Sequence, residues 1–288
     1  MQIVTDRGAD LLPEVAEKYG IHFTPLKVTL DSHTYASGVD ITPEEFYKLL
    51  EGTEDMPLTS QPSVGEFVDL YRQLAQTDPD ILSIHISSGL SGTLNSARTA
   101  AALVPEANVT LVDTATLSCP EGWQVEAAAR AIRGGWSKER ILEYLAEIRA
   151  QTEGMFTVAT LKYLIHGGRI SHIKGLMASL LNIKPIIGVA KTDGKYFQLG
   201  QEITLKRAIL READLVVRRF GEGAKLRVQL LHANNLPGTE WLRERLSQLF
   251  DIEWVPTISI TPALGAHVGV GLVGMAVGPA ALFASLPG

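Results

Sequence analysis

The residues most suited to chemistry fall in four short segments. In Ile84-His85-Ile86-Ser87-Ser88-Gly89-Leu90-Ser91-Gly92-Thr93 an apolar strand pattern runs into a Ser/Gly turn. A helix is expected from about Leu94. Backbone N–H groups and hydroxyls then meet at a helix N-terminus, which suits a carboxylate or a phosphate. In a parallel sheet the turn also lies at the carboxyl end of a strand, where ligands collect. Read locally, Ser91 or Thr93 serves equally well as a plain helix cap. The second segment is Thr59-Ser60-Gln61-Pro62-Ser63. Ser63 reads as an N-cap, and Thr59 and Ser60 either offer hydroxyls to the same anion or form a polar loop.

The third segment, His166-Gly167-Gly168-Arg169-Ile170-Ser171, pairs a tight glycine turn with a guanidinium fork suited to carboxylate or phosphate. A helix end followed by a surface arginine gives the same letters. The fourth, Gly265-Ala266-His267-Val268-Gly269, sets a histidine inside an uncharged stretch. That is either a satisfied core imidazole or a functional donor.

Two enzymatic readings follow from these letters. Gly89-Leu90-Ser91-Gly92-Thr93 approaches the G-x-S-x-G nucleophile elbow, with Thr93 in place of the last glycine. A serine acyl-ester hydrolase would use Ser91 and His267, with Asp193, Asp214 or Asp251 as the acid. A phosphate nest at Ser87–Thr93 would instead serve phosphoryl transfer, although no G-x-x-x-x-G-K-[ST] is present. The histidines at 22, 33, 85, 166, 172, 232 and 267 show no metal-ligand spacing with carboxylates.

The elements that must position these residues alternate in the first half. Strands are expected at Ile3-Val4, 21–30, Ile81–Ile86 and Val109–Val112. Helices are expected over Asp10–Tyr19, from Thr42, from Ser63 to about Ala75, and near 121–133 and 137–150. Thr42 with Glu45, and Ser63 with Glu66, are capping boxes. Such alternation builds a parallel sheet covered on both faces. The second half differs. Strands at 155–160, Pro185–Ala190 and Tyr196–Leu199 include a hairpin around Thr192-Asp193-Gly194. A helix over Thr204–Phe220, another near 238–250, and strands at Leu226–His232, Ile252–Ser259 and Val270–Val277 complete it. The fold class expected is α/β with two domains. Residues 1–152 form an N-terminal parallel, Rossmann-like sheet domain. Residues 153–288 form a C-terminal α+β domain with a mixed sheet, and a ligand lies between the two.

Composition bounds the rest. The chain has 288 residues and a net charge of −6. It buries about three quarters of its unfolded surface and needs no staples. The acidic balance argues against nucleic acid as a partner. One cysteine, Cys119, excludes an internal disulfide framework and fits a reducing cytoplasm. Asp6, Arg7 and Asp10 interrupt the first apolar run, against a signal peptide. Residues 258–288 carry no Asp, Glu, Lys or Arg, but Pro262, Pro279 and repeated glycines interrupt them. A buried strand is expected there and no integral membrane segment.

Together these segments resemble the DegV family, which includes the fatty-acid-binding subunits of bacterial fatty acid kinase. The resemblance rests on Val4-Thr5-Asp6 with Ala9-Asp10-Leu11, on the segments at 59–63, 87–93 and 167–171, on Ile183-Lys184-Pro185-Ile186, and on Gly265–Gly269. They occur in family order and cover nearly the whole chain. The resemblance implies a DegV-like two-domain fold with a fatty acid in an apolar interdomain tunnel. Its carboxylate would meet Thr59 or Ser60, Ser91 and the N–H of Gly92, flanked by Arg169 and His267. Apolar positions around Ile173–Leu181 either line such a tunnel or, as Leu176, Met177, Leu180 and Leu181 read locally, are ordinary core. The resemblance also implies a carrier rather than a catalyst, with no cofactor besides the bound fatty acid. Such a carrier presents the carboxylate to a separate ATP-dependent kinase catalytic subunit and takes the acyl phosphate to phospholipid synthesis.

Three places depart from the family pattern. Arg7-Gly8 stands where a hydroxyl usually follows the first Asp. Val268 and Val270 stand where Thr and Pro are common. The segment after the hairpin reads Glu202-Ile203-Thr204-Leu205-Lys206-Arg207, with Ile203 and Leu205 at positions where arginines are usual. The last departure bears on docking of the kinase subunit, and the first two bear on hydrogen bonding around the head group.

Overall fold

The apolar run after Met1 forms β1 (Gln2–Asp6), the strand around which the first sheet grows. Four residues of β1 are buried, so it is covered on both faces, as parallel strands are. The computed structural model describes residues 1–172 and 183–288, the side chains of Ser171 and His172 excepted. The expected tunnel positions at 173–181 lie outside the described residues.

The chain continues through α1 (Pro13–Tyr19), β2 (His22–Thr24), β3 (Lys27–Leu30), β4 (His33–Ala36), α2 (Pro43–Gly52) and β5 (Leu58–Ser60). Then come α3 (Val64–Ala75), β6 (Asp80–His85), α4 (Thr93–Ala102), β7 (Asn108–Asp113), α5 (Cys119–Arg133) and α6 (Lys138–Gln151). Strands β2-β1-β6-β7 form a wholly parallel four-stranded sheet. The order steps outward from β1 to β2 and, on the other side, from β6 to β7. The switch in direction falls between β1 and β6, where doubly wound folds bind ligands. Strands β4-β3-β5 form a small antiparallel sheet beside it.

The second half runs through β8 (Glu153–Thr157), α7 (Lys162–His166), β9 (Lys184–Val189), β10 (Tyr196–Glu202), α8 (Leu205–Phe220), β11 (Lys225–His232) and α9 (Leu236–Ser247). It ends with β12 (Asp251–Ser259), α10 (Pro262–Val268), β13 (Val273–Pro279) and α11 (Ala281–Ala284). Its six-stranded sheet, β10-β9-β8-β13-β11-β12, is antiparallel except for the parallel β11/β12 pair. The chain is therefore α/β, with a parallel sheet in its first half and a mixed sheet in its second.

The helices start where local chemistry dictates. Thr42 accepts from Glu45 N–H while Glu45 accepts from Thr42 N–H, with Pro43 in the first turn. Ser63 and Glu66 repeat the arrangement at α3.

Three expectations need correction. The strand expected over 21–30 is two strands in two sheets, because Pro25 cannot donate to a ladder and the chain turns there. The helix expected from Asp10 begins at Pro13, because Asp10 adopts a φ of 35 and its side chain reaches distant partners. The strand expected over Val270–Val277 starts at Val273. The residues before it form α10, opened by Pro262, and then a turn in which Gly269 and Gly271 take positive φ. The uncharged C-terminal stretch is thus divided among β12, α10, β13 and α11. Among the described residues no helix is long and apolar enough to cross a membrane.

Candidate functional site

Five of the six residues singled out in the sequence line one chamber between the two halves. Thr59 comes from β5, Ser60 from its end, Ser91 from the β6–α4 turn, Arg169 from the turn after α7, and His267 from the last turn of α10. Leu26, Gln61, Leu90 and Tyr196 complete much of the wall. Gly92, the sixth, lies just behind as the N-cap of α4. A Cβ built there would meet Gln61 Nε2 at 2.9 Å.

The residues are fixed by bonds across the molecule. Thr59 Oγ1 and His267 Nε2 are 2.7 Å apart, so a residue of the small antiparallel sheet holds a histidine 208 positions away. Ser91 Oγ lies 2.9 Å from Thr93 Oγ1 and accepts from Thr93 N–H. Arg169 donates through Nε to Leu90 O at 3.3 Å and through Nη1 to Gly167 O at 2.6 Å. The guanidinium therefore reaches from the second half to the serine turn of the first. Gly167 is required here. A Cβ on it would lie 2.2 Å from His267 Nδ1, so only glycine lets α7 approach the imidazole.

Burial pushes the His267 pKa down to about 3, with Arg169 and His166 adding repulsion, so the imidazole is neutral at neutral pH. Its Nδ1 is buried without a partner among the described residues. Among the described residues the chamber therefore offers the Arg169 guanidinium, hydroxyls from Thr59, Ser60 and Ser91, and a neutral imidazole. That set suits a single carboxylate.

A second chamber, almost wholly apolar, adjoins the first. Leu117, Tyr196, Leu264 and His267 line both. Beyond them stand Met155, Phe156, Val189, Leu231, Ile260, Val268, Leu272 and Met275. Tyr196 is buried and edge-on to Phe156, and burial raises its hydroxyl pKa, which keeps the ring neutral between the polar and apolar ends. Neither Tyr196 nor Leu117 and Leu264 stood out in the sequence. Their role comes from position at the junction, and an isolated apolar residue carries no local mark of that.

A hydrolytic relay is not assembled among the described residues. Ser91 pairs with Thr93, and His267 pairs with Thr59. Of the available acids, Asp193 faces Lys195 at the tip of the β9–β10 hairpin, and Asp214 pairs with Arg245. Among the described residues no acid orients His267 Nδ1.

Behind the serine turn is a polar network that the sequence reading passed over. Asp6 Oδ2 lies 3.0 Å from His85 Nδ1 and accepts from Ile86 N–H. His85 Nε2 is 2.7 Å from Ser83 Oγ, which is 2.7 Å from Tyr71 OH. All four side chains are buried. The network joins the ends of β1 and β6 and sets the path of the turn. The signals for it were Ser83 and His85 inside a mostly apolar strand, with Asp6 at the end of the first one.

Residues 1–280 match the family model described as uncharacterised protein, DegV family. The chain belongs to the DegV family. A DegV domain-containing protein of Staphylococcus aureus is 35% identical over 275 residues, covering 96% of this chain and 97% of that one. A structure described as fatty acid binding of a DegV family protein, from Thermus thermophilus, superposes with a TM-score of 0.88. It is 30% identical and covers 96% of this chain and 99% of that one. The DegV structure from Bacillus subtilis, described as a fatty acid binding protein, gives a TM-score of 0.87 at 30% identity, covering 96% and 98%.

Proposed function

We propose that this chain binds a long-chain fatty acid, with the carboxylate in the polar chamber and the acyl chain in the apolar one. The observation that carries the reading is that a polar and an apolar chamber lie back to back, sharing the wall of Leu117, Tyr196, Leu264 and His267. The descriptions of the Thermus and Bacillus relatives as fatty acid binding support it. An acyl chain gains about 0.8 kcal/mol for each buried methylene. Its carboxylate avoids the cost of an unpaired buried charge by meeting Arg169 and the hydroxyls of Thr59, Ser60 and Ser91. Ligand between the sheets would tie a 1–152 domain to a 153–288 domain.

The chain presents the carboxylate; it does not transform it. Ser60 and Gln61 are exposed and lie at the mouth of the polar chamber, which leaves the head group reachable from outside. A separate ATP-dependent kinase subunit working there would give an acyl phosphate for phospholipid synthesis in the cytoplasm. That extension rests on the family resemblance alone. In the departing segment Ile203 stands 67% exposed, and Glu202 accepts from both Arg207 and Arg211. Kinase docking would therefore have to use this altered surface.

Mass spectrometry of the purified protein, first native and then after solvent extraction, tests the reading. One co-purifying fatty acid per chain is expected. Ser91→Ala is expected to weaken fatty acid binding on the order of tenfold, by loss of one hydrogen bond to a charged group. A protein that arrives empty and takes up no added fatty acid overturns the reading. A Ser91→Ala protein that binds as tightly as the parent removes Ser91 from the head-group site.

A further inference from the structure

The apolar chamber has a far end. Thr116, Pro120, Gly154 and Val189 line it and also line a third, smaller cavity. That cavity shares no residue with the head-group chamber, so the three lie in sequence: polar, apolar, polar. Apart from Ala115, its other walls are charged or polar: Gln124, Arg149, Thr152, Glu153 and Lys191. Lys191 Nζ lies 2.7 Å from Glu153 Oε1 and donates to Ala150 O at 2.7 Å, and Arg219 donates to the same Glu153 oxygen at 2.9 Å.

We infer that Thr116, Pro120, Gly154 and Val189 form the wall that limits the length of acyl chain this protein accepts. The inference rests on the fatty-acid reading above and adds the residues that measure the ligand. Two sides of the wall belong to rigid elements. Pro120 sits in the first turn of α5, and Gly154 lies in β8, paired through Ala276 with β13. A Cβ built on Gly154 would lie 2.8 Å from Pro120 Cγ and 3.8 Å from Thr116 Oγ1, so bare strand backbone packs against the proline ring. Neither side yields without moving a helix or a sheet. Thr116 and Val189, each 9% exposed, supply the remaining side chains.

The chemistry changes sharply across the wall. On the near side each added methylene enters apolar surroundings and strengthens binding about fourfold. On the far side a methylene would press on the Lys191–Glu153–Arg219 cluster, which loses solvation and gains no partner. Affinity therefore rises with chain length until the terminal methyl meets the wall, and then stops rising or falls.

The test measures dissociation constants of the full chain, stripped of endogenous lipid, for straight-chain saturated acids from lauric to behenic. Wild type is compared with Val189→Phe and Val189→Ala. Val189→Phe fills the end of the chamber and is expected to weaken the best-bound long acid at least tenfold, with lauric acid changed less than twofold. Val189→Ala is expected to improve the next longer acid about fourfold relative to lauric acid, a gain of one methylene. It adds no bulk, and it decides the matter alone if the Phe variant does not fold. Variants that bind the series with the wild-type length profile overturn the wall alone. A wild-type protein that binds none of the acids overturns the fatty-acid reading and the wall with it.

Discussion

Asp10 is buried, with Oδ1 accepting from Thr261 N–H at 2.8 Å and Oδ2 accepting from Ser118 Oγ at 2.6 Å. It joins the first strand–helix connection to α5 and to the segment that opens α10. Burial outweighs these two bonds and pushes its carboxyl up to about 7, with a small further push from Asp6. The folded pKa therefore lies above the unfolded value of about 3.8, and the folded state holds the extra proton between them. The stabilising contribution is fully present below the unfolded value and is lost as pH rises through about 7. Asp10→Asn mimics the protonated acid, since its amide oxygen accepts from Thr261 and its NH2 donates to Ser118. From pH 5 to pH 8 the parent should lose about 2.6 kcal/mol more stability than the variant, by urea unfolding at both pH values. Parallel losses in the two proteins would mean that Asp10 is ionised throughout. Asp10 also shows why single residues were hard to read. In sequence it looks like the start of a helix, and its real partners are 108 and 251 positions away. That Ser91, Arg169 and His267 share one chamber could be suspected from sequence, because hydroxyls, a guanidinium and an imidazole among glycines are unusual letters. Tyr196, Leu117 and Leu264 were not, since apolar residues look alike until the chain is folded.

At the scale of elements, two neighbouring hydroxyl groups have different tasks. Ser63 accepts from Glu66 N–H at 3.2 Å and opens α3, whereas Thr59 sits in β5 facing Val28 of β3 and holds His267. Ser63→Ala should lower stability by about 1 kcal/mol, through loss of the cap, and leave fatty acid affinity unchanged. Chemical denaturation read beside a fatty acid titration separates the two effects. A large loss of affinity in Ser63→Ala would place Ser63 in the head-group site. The capping boxes were legible because every partner lies within three residues. The same holds for β6, for α5 and for the hairpin of β9 and β10, whose patterns are dense and local. The strand β5 was not legible, because three residues form it only by pairing with 27–29. The helix α10 was hidden by an apolar composition that suits a buried strand equally well, and Pro262 with the turn at Gly269–Gly271 decided between them.

At the scale of the molecule, the two sheets belong to different halves, but the core between them is shared. One apolar cluster joins Ile3, Ile84 and Trp123 of the first half to Phe156, Ile187, Val255 and Phe283 of the second. Buried polar contacts cross the same boundary. Trp123 Nε1 donates to Gln229 Oε1 at 2.8 Å, Arg227 pairs with Glu126 at 2.7 Å, and Tyr47 OH donates to Ile260 O at 3.1 Å. Separating the halves would strand these groups and expose the shared apolar surface, so neither half is expected to melt while the other stays folded. Calorimetry of the lipid-free protein should therefore show one transition, with calorimetric and van't Hoff enthalpies that agree. A fatty acid seated between the halves, as proposed, would bind only when both are folded. At a hundredfold excess over its dissociation constant it should add about 2.7 kcal/mol, raising the single transition by several degrees without splitting it. Two resolved transitions, with only one moved by ligand, would show instead that the halves fold independently and that the acyl chain is held within one of them.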